Sequence, residues 1–460
     1  MAQTAENVDL LVVGGGKAGK TLAMDWARTG KRVAMVERGM IGGTCINVAC
    51  IPTKALVTSA RTTRILARAR QLGLDAEVPR VTAELLRDHT SGVVEGMVAI
   101  NHKQFLDSGM DFILGQAHFT GERTVEVALN EGGTRLLRGT ETVINTGAEP
   151  RVPDIPGLLG ARPLTSETLL RLERLPAHLV IVGGGTVGLE FADMFAAFGS
   201  KVTLVARGPR LLAGEDEDIA EAVTGLLTAH GVNIITGRSV ASVQRGTDKE
   251  VTLTLSDGAT VTGDDVLVAA GRQPVTNGLD LDAGGVRTTE HGFVAVDEHL
   301  ATDAPHTWAA GDVAGSPQFT HVSLDDYRIL KDNLAGGSRS TKDRLIPHTT
   351  FLGLDFARVG LTENQARAAG YNVRVAKLPV AAIPRARTMR ETDGVWKAVV
   401  DAHTDRILGV ALLGPEAGET LTTVQTAMLA NLPYTALRNM IITHPTMTEG
   451  LNLLFATLQD

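Results

Sequence analysis

Val8-Asp9-Leu10-Leu11-Val12-Val13-Gly14-Gly15-Gly16-Lys17-Ala18-Gly19 is the stretch from which the fold can be read. Residues 8–13 form a short apolar strand, and Gly14, Gly16 and Gly19 follow it as G-x-G-x-x-G. Such glycines permit a tight turn, close approach of the backbone to a pyrophosphate, and close helix–strand packing. Residues 21–28 read as the helix whose N-terminal amides face the anion. Residues 32–36 read as the next strand. Glu37 ends it 23 positions after Gly14, where a carboxylate can bind ribose hydroxyls. A lone glycine pattern is weak; here strand, turn, helix, strand and acid come in order.

A second copy stands near mid-chain. Residues 179–182 are a strand, Gly183, Gly185 and Gly188 repeat the spacing, and residues 189–198 and 201–205 read as the following helix and strand. Both copies keep all three glycines, so two nucleotide sites are expected rather than one site and one dead duplicate.

The chain has two cysteines, in Gly42-Gly43-Thr44-Cys45-Ile46-Asn47-Val48-Ala49-Cys50-Ile51-Pro52-Thr53-Lys54. Read as opening a helix, C-x4-C brings both sulfurs within about one turn, within reach of a reversible disulfide. A helix N-terminus behind them favours the thiolate. Two unrelated core cysteines, or a short structural staple, are the bland alternatives. Zinc is disfavoured, because two thiols lack further ligands at metal spacing.

Composition bounds the class. At 460 residues about three domains are expected. There is no apolar run of ~18 residues, so no membrane span is expected. A net charge of −8 argues against nucleic acid. The N-terminus lacks a basic, then apolar, leader, and two cysteines suit a reducing compartment, so a cytoplasmic protein is expected.

With the two fingerprints and the cysteine pair in hand, nearly the whole chain resembles the flavin-dependent pyridine nucleotide–disulfide oxidoreductases. These include glutathione reductase, dihydrolipoamide dehydrogenase and mercuric reductase. Trp308-Ala309-Ala310-Gly311-Asp312 resembles their second flavin motif, whose Asp holds the ribityl chain. Val143-Ile144-Asn145-Thr146-Gly147 and Val268-Ala269-Ala270-Gly271-Arg272 resemble the interdomain hinges, and His444-Pro445-Thr446-Met447-Thr448-Glu449 the C-terminal catalytic segment. Gly16-Lys17-Ala18-Gly19-Lys20-Thr21-Leu22-Ala23, Ser323-Leu324-Asp325-Asp326-Tyr327-Arg328 and the stretch 378–387 are most similar to the bacterial reactive-chlorine-resistance flavoproteins, known as copper(II) reductases. Without that resemblance, Arg385 and Arg387 read as a solvated basic loop.

The resemblance implies an α/β fold: two nested Rossmann-like domains, for FAD and NAD(P), and a C-terminal α+β dimerisation domain. The boundaries expected are 1–148 for the first part of the FAD domain, 149–272 for the NAD(P)H domain, 273–345 for the rest of the FAD domain, and 346–460 for the dimerisation domain. NADPH, with NADH as the alternative, would reduce FAD, and FAD would reduce a Cys45–Cys50 disulfide. Cys50 would be the sulfur nearer the flavin and Cys45 the interchange thiol. Lys54 would lie beside the flavin and pair with Glu190. His444, oriented by Glu449, would serve the redox pair of the other subunit, making a homodimer with shared sites obligatory.

FAD would be held by Gly14, Gly16, Gly19, Glu37, Gly43, Thr44, Lys54, Thr146, Gly147, Gly311 and Asp312. NADPH would be held by Gly183, Gly185, Gly188, Arg207, Arg210 and Gly271. No structural metal site is expected, although Cys45 and Cys50 could hold a metal substrate transiently. The acceptor expected is a metal ion such as Cu(II) or Hg(II), or an oxidant-derived species. A low-molecular-weight disulfide, a dihydrolipoamide dehydrogenase-like reaction, or a non-catalytic redox sensor are the alternatives. Mercuric reductases usually end in vicinal cysteines and carry Tyr where His444 stands, which weakens mercury. Thr186 occupies the usual aromatic gate. Ala206 replaces the acid that NADH-dependent members place after the second fingerprint, and Arg207 and Arg210 follow it.

Overall fold

The computed structural model describes residues 4–247 and 250–458; the extreme ends of the expected first and last domains lie outside them. The chain falls into two compact units, one of residues 1–53, 88–151 and 272–344, the other of residues 54–87, 152–271 and 345–460.

In the first unit, β1 (Glu6–Val13) pairs in parallel with β2 (Val33–Glu37) and with β5 (Thr134–Ile144). β3 (Asp111–Gly121) runs parallel to β2, and β4 (Thr124–Leu129) joins β3 and β5 as an antiparallel flap. Thr307–Ala309 adds a parallel strand on the far side of β5. Alternate residues of β1 serve different cores. Leu11 and Val13 join Val36, Ile144 and Phe119, whereas Leu10 and Val12 join Leu22, Met35 and Phe105. A strand buried on both faces must be apolar throughout, which is why 8–13 shows little polar alternation.

The helix after the first fingerprint, α1, runs Lys17–Ala27, four residues earlier than the sequence reading. Nothing in Lys17-Ala18-Gly19-Lys20 stops a helix once Gly16 has turned the chain, so the third fingerprint glycine lies in the first turn. The redox segment also differs from expectation. Cys45 sits in a one-turn helix, α2 (Thr44–Asn47), the chain breaks at Val48, and Cys50 opens α3 (Cys50–Ala67). The two cysteines therefore do not share a helix. α3 gives way to a 3-10 turn, Ala69–Leu72, ended by Gly73 at φ 82°. α4 (Ala83–Ser108) completes the order up to β3.

The second unit repeats the plan. Asp265–Val268, His178–Val182, Lys201–Val205 and Val232–Ile235 form a parallel sheet in that order. α5 (Thr186–Ala197) and α6 (Glu217–Ala229) cover one face with Leu189, Phe191 and Val223, and a three-stranded antiparallel sheet covers the other with Val243, Val251 and Leu253. Its C-terminal part is a five-stranded antiparallel sheet in which Val395–Asp401 pairs with Ile407–Gly414, with Trp396 fully buried under the helices. The Arg385/Arg387 stretch is a short helix, Pro384–Met389, not a loop. The fold is α/β, two nested Rossmann-like modules with a C-terminal α+β layer. Among the described residues no helix is long and apolar enough to cross a membrane.

Candidate active site

The redox pair lies where three segments of the first unit meet. The Gly42–Gly43 turn, with φ of 93° and 83°, delivers Thr44 and Cys45 into α2. Cys45 and Cys50 are free thiols, each half-buried, joined by a sulfur hydrogen bond. The Oγ1 of Thr320 lies 3.5 Å from the Cys50 Sγ. Thr320 is the first residue of α7 (Thr320–Leu334), whose opening turn holds no acid, so the helix end adds positive potential at the sulfurs.

The hydrogen bond to Cys50 holds the Cys45 thiol well above its ordinary range, and burial and negative charge on Cys50 push the same way. The Thr320 hydroxyl and the Lys20 ammonium oppose them. Adjacent sulfurs share one charge cheaply and two dearly. The pair is therefore suited to hold one negative charge between its two sulfurs.

Around the first fingerprint, a side chain of the 143–147 hinge segment that carries no motif of its own proves central. Asn145 is 3% exposed. Its Oδ1 accepts from the Gly19 amide at 2.9 Å, and its Nδ2 donates to the Ala310 carbonyl at 2.6 Å. A Cβ on Gly14 would come within 2.5 Å of the Asn145 carbonyl, and one on Gly16 within 2.4 Å of its Oδ1. The fingerprint is moulded onto Asn145, and Asn145 ties it to the Gly311–Asp312 turn. Asp326 completes the join by accepting from the Gly311 amide at 2.7 Å and from Arg344 at 2.6 Å.

Glu37 accepts from the amides of Gly15, Gly39 and Met40 at 2.8–2.9 Å. A carboxylate offers about four acceptor positions, so capacity remains for a ribose hydroxyl. Thr146 is braced by the Val275 carbonyl at 2.7 Å, and Gly147 turns the chain at φ 77°. Burial raises the Asp312 carboxyl to about 6, against the pull of Arg272. An acceptor desolvated in this way is suited to a hydroxyl partner.

The second copy can be compared position by position. Gly183, at φ 132°, would put a Cβ 2.2 Å from the Ala269 carbonyl, and Gly188 would put one 2.1 Å from the Gly183 carbonyl; Gly185 opens onto free space. Ala206 stands 23 positions after Gly183, as Glu37 stands after Gly14. A Cβ on Gly184 would meet the Ala206 Cβ at 2.8 Å, matching the approach of Gly15 to Glu37. Arg207 is exposed beside it. Arg210 is instead engaged locally, its guanidinium donating to the carbonyls of Ala213 and Glu215 at 3.4 and 3.1 Å. Gly271 turns at φ 102° with open space at its Cβ position. Both α1 and α5 begin on a glycine with no capping side chain and no acid in the first turn. Helix starts of that kind accommodate phosphate, so the residues present fit FAD in the first copy and a pyridine nucleotide in the second.

Lys54 and Glu190 form the expected pair, with Nζ 2.7 Å from Oε2 and 3.0 Å from Oε1. Glu190 is 3% exposed and also accepts from the Phe351 amide at 2.9 Å, while the Lys54 ammonium lies 4.8 Å from the Phe351 ring centroid. Phe351 carried no motif that could have marked it. Thr186 lies 3.4 Å from the Thr350 hydroxyl. His444 and Glu449 also meet, Nδ1 to Oε2 at 2.8 Å, although Pro445 keeps them off a common helix. The bond orients the imidazole and leaves Nε2 outward on a side chain 69% exposed.

Known proteins are similar to this chain over nearly its whole length. Residues 8–326 match the family described as pyridine nucleotide-disulphide oxidoreductase, and residues 346–454 match its dimerisation domain. A probable pyridine nucleotide-disulfide oxidoreductase, RclA, of Escherichia coli (strain K12) is 43% identical over 456 residues, covering 98% of this chain and 99% of that protein. A mercuric reductase of Bacillus cereus is 34% identical over 98% of this chain and 71% of its own length. The solved Cu(II) complex of the HOCl-induced flavoprotein disulfide reductase RclA from Escherichia coli superposes with a TM-score of 0.91 at 42% identity, covering 99% of this chain and all of that one. Family members use FAD and a pyridine nucleotide, and this chain belongs to the pyridine nucleotide–disulphide oxidoreductases as a flavoprotein oxidoreductase.

Proposed function

We propose that the chain passes electrons from NADPH through FAD and the Cys45–Cys50 pair to a metal ion, Cu(II) foremost, in defence against oxidants. The observation that carries this reading is the thiol pair itself: hydrogen-bonded, half-buried, and set at the opening of α7 beside Thr320. The similar RclA, whose solved structure is a Cu(II) complex, supports the choice of metal. Held by the first fingerprint, Glu37 and Asp312, FAD would supply a two-electron relay between the nicotinamide and the disulfide.

The chain's own residues do the remainder. The S–S bond breaks, Cys50 retains negative charge, and Cys45 leaves with a proton. Return of this thiolate–thiol pair to the disulfide releases two electrons and one proton, enough to reduce two Cu(II) to Cu(I). Cys45 and Cys50 would hold the metal substrate in passing. Lys54, paired with Glu190, keeps a cation beside the flavin. Domain limits of 1–148, 149–272, 273–345 and 346–460 accompany this reading.

For the pyridine nucleotide, Ala206 leaves room for a 2′-phosphate and Arg207 provides a matching fork. Arg210 acts as a brace of its loop, given its carbonyl contacts. A homodimer with shared sites is favoured by the exposed setting of His444, beside which Ile441 is fully exposed and Met440 is 42% exposed.

A second reading, reduction of a low-molecular-weight disulfide, is favoured by the His444–Glu449 contact, since a leaving thiolate needs a proton and a metal ion does not. The test is NADPH turnover by the purified flavoprotein against Cu(II), Hg(II), hypochlorous acid-derived chloramines, glutathione disulfide and lipoamide. Fastest turnover with Cu(II), lost in Cys45→Ser, supports the first reading. Fastest turnover with a disulfide replaces it with the second, and no turnover with any acceptor leaves a redox sensor.

A further inference from the structure

Lys20 is 5% exposed. Lysine is almost never buried to that extent without compensation, because desolvating an ammonium is costly. Its Nζ donates to the Gly42 carbonyl and to the Asn101 Oδ1, both at 2.8 Å. Asn101 is itself buried and tethered to α4 by its amide, which donates to the Met97 carbonyl at 2.8 Å. One cation thus joins α1, α4 and the turn that delivers Cys45. Gly43 of that turn is pressed against the fingerprint, where a Cβ would lie 3.1 Å from the Gly15 carbonyl and 3.2 Å from the Gly16 Cα.

Two acceptors engage two of the three ammonium hydrogens. The ammonium and the Cys45 sulfur also act on each other, each favouring the charged form of its neighbour. A neutral side chain would fill this space without the desolvation. A charge kept there at a cost to stability therefore points to work done on its neighbour.

We propose that Lys20 is a positioning residue of the redox pair, holding the Gly42–Gly43 turn and setting a fixed positive charge against Cys45 so that this sulfur is the more reactive toward acceptors. On reduction the S–S bond takes up two electrons and breaks. Lys20 then favours placement of the developing charge on Cys45, against burial and against the charge on Cys50. The inference rests on the redox reading of the two cysteines.

The test uses the holoenzyme reduced with dithiothreitol, which is oxidised to its cyclic disulfide as the protein disulfide becomes two thiols. After removal of reductant, a brief pulse of iodoacetamide at pH 7 alkylates the sulfurs with loss of iodide, and peptide masses give the Cys45:Cys50 labelling ratio. Lys20→Met should lower that ratio about tenfold, as should Lys20→Gln, which keeps donors for Gly42 and Asn101 without the charge; Lys20→Arg should restore it. A general loosening would raise labelling at both sulfurs and leave no such ratio change. Lys20→Gln decides the matter if Lys20→Met does not fold. An unchanged ratio in Lys20→Gln overturns the role of the charge. Failure of the oxidised wild type to lose two titratable thiols would instead overturn the redox reading beneath it.

Discussion

Cys50 stands at the start of α3 with the Thr320 hydroxyl beside its sulfur, remote in sequence from either glycine fingerprint. Cys50→Ser should therefore retain bound FAD and lose reduction of every acceptor that draws on the dithiol. Two-electron-reduced wild type should show a long-wavelength thiolate-to-flavin absorbance, and persistence of that band in the variant would assign the thiolate elsewhere. A second residue-scale expectation concerns the nucleotide. Ala206→Glu with Arg207→Ala should shift the ratio of kcat/KM from NADPH toward NADH. A carboxylate ~4 Å from a 2′-phosphate is repelled by roughly 4 kcal/mol per charge pair at an effective dielectric of about 20. A wild type that already prefers NADH would sink this assignment. A third follows from Lys20, whose burial lowers it from 10.5 to about 8. The folded chain holds this proton less tightly than the unfolded chain. Its destabilising effect is full below pH 8 and fades as pH rises toward 10.5, and a shift of this size corresponds to roughly 3 kcal/mol. The unfolding free energy of wild type minus that of Lys20→Met should rise across that window; a flat difference would contradict the burial argument.

At the scale of elements, the glycine fingerprints are steric requirements before they are binding motifs. Gly183 combines φ 132° with a carbonyl 2.2 Å from the place of its missing Cβ. Gly183→Ala should cost about 1–3 kcal/mol, as overpacking does. It should raise KM for NADPH while flavin content stays at wild-type level. An unaltered melting temperature and KM would show that the strand–turn–helix junction tolerates the methyl. The sequence declared these junctions because sterics and phosphate binding impose the same glycines at the same spacing. It was less clear about Val48, where the redox segment breaks into two helices, since no proline or glycine marks the break. It was silent on the roles of Asn145, Asp326, Lys20 and Asn101. The contacts that tie them to other elements span 15 to 165 residues of sequence, and no local periodicity records a partner so far along the chain. Lys54–Glu190 and His444–Glu449 were legible through resemblance alone, because a charged pair on separate elements has no spacing rule.

At the scale of the molecule, the proposal that His444 serves the other subunit has a consequence that one chain cannot show singly. His444→Ala should lose at least roughly 10²-fold in disulfide reduction, the range of general acid–base catalysis, and much less against a metal ion. If the imidazole serves the other subunit, mixing His444→Ala with Cys45→Ser and allowing subunits to exchange should recover about a quarter of wild-type disulfide turnover, because half the dimers then hold one intact site of two. Mixtures with no recovery would assign both groups to one chain. The two glycine cradles raise a different problem of the whole. They are built alike, and each suits an adenine dinucleotide. A polypeptide with twin receptacles could fill both with the same guest and stall. Where one has the carboxylate of Glu37, with room to accept from a ribose, the other has the bare methyl of Ala206. That single contrast can act as a sorting label, sending the dinucleotide without an extra phosphate to one berth and the phosphorylated carrier to the other.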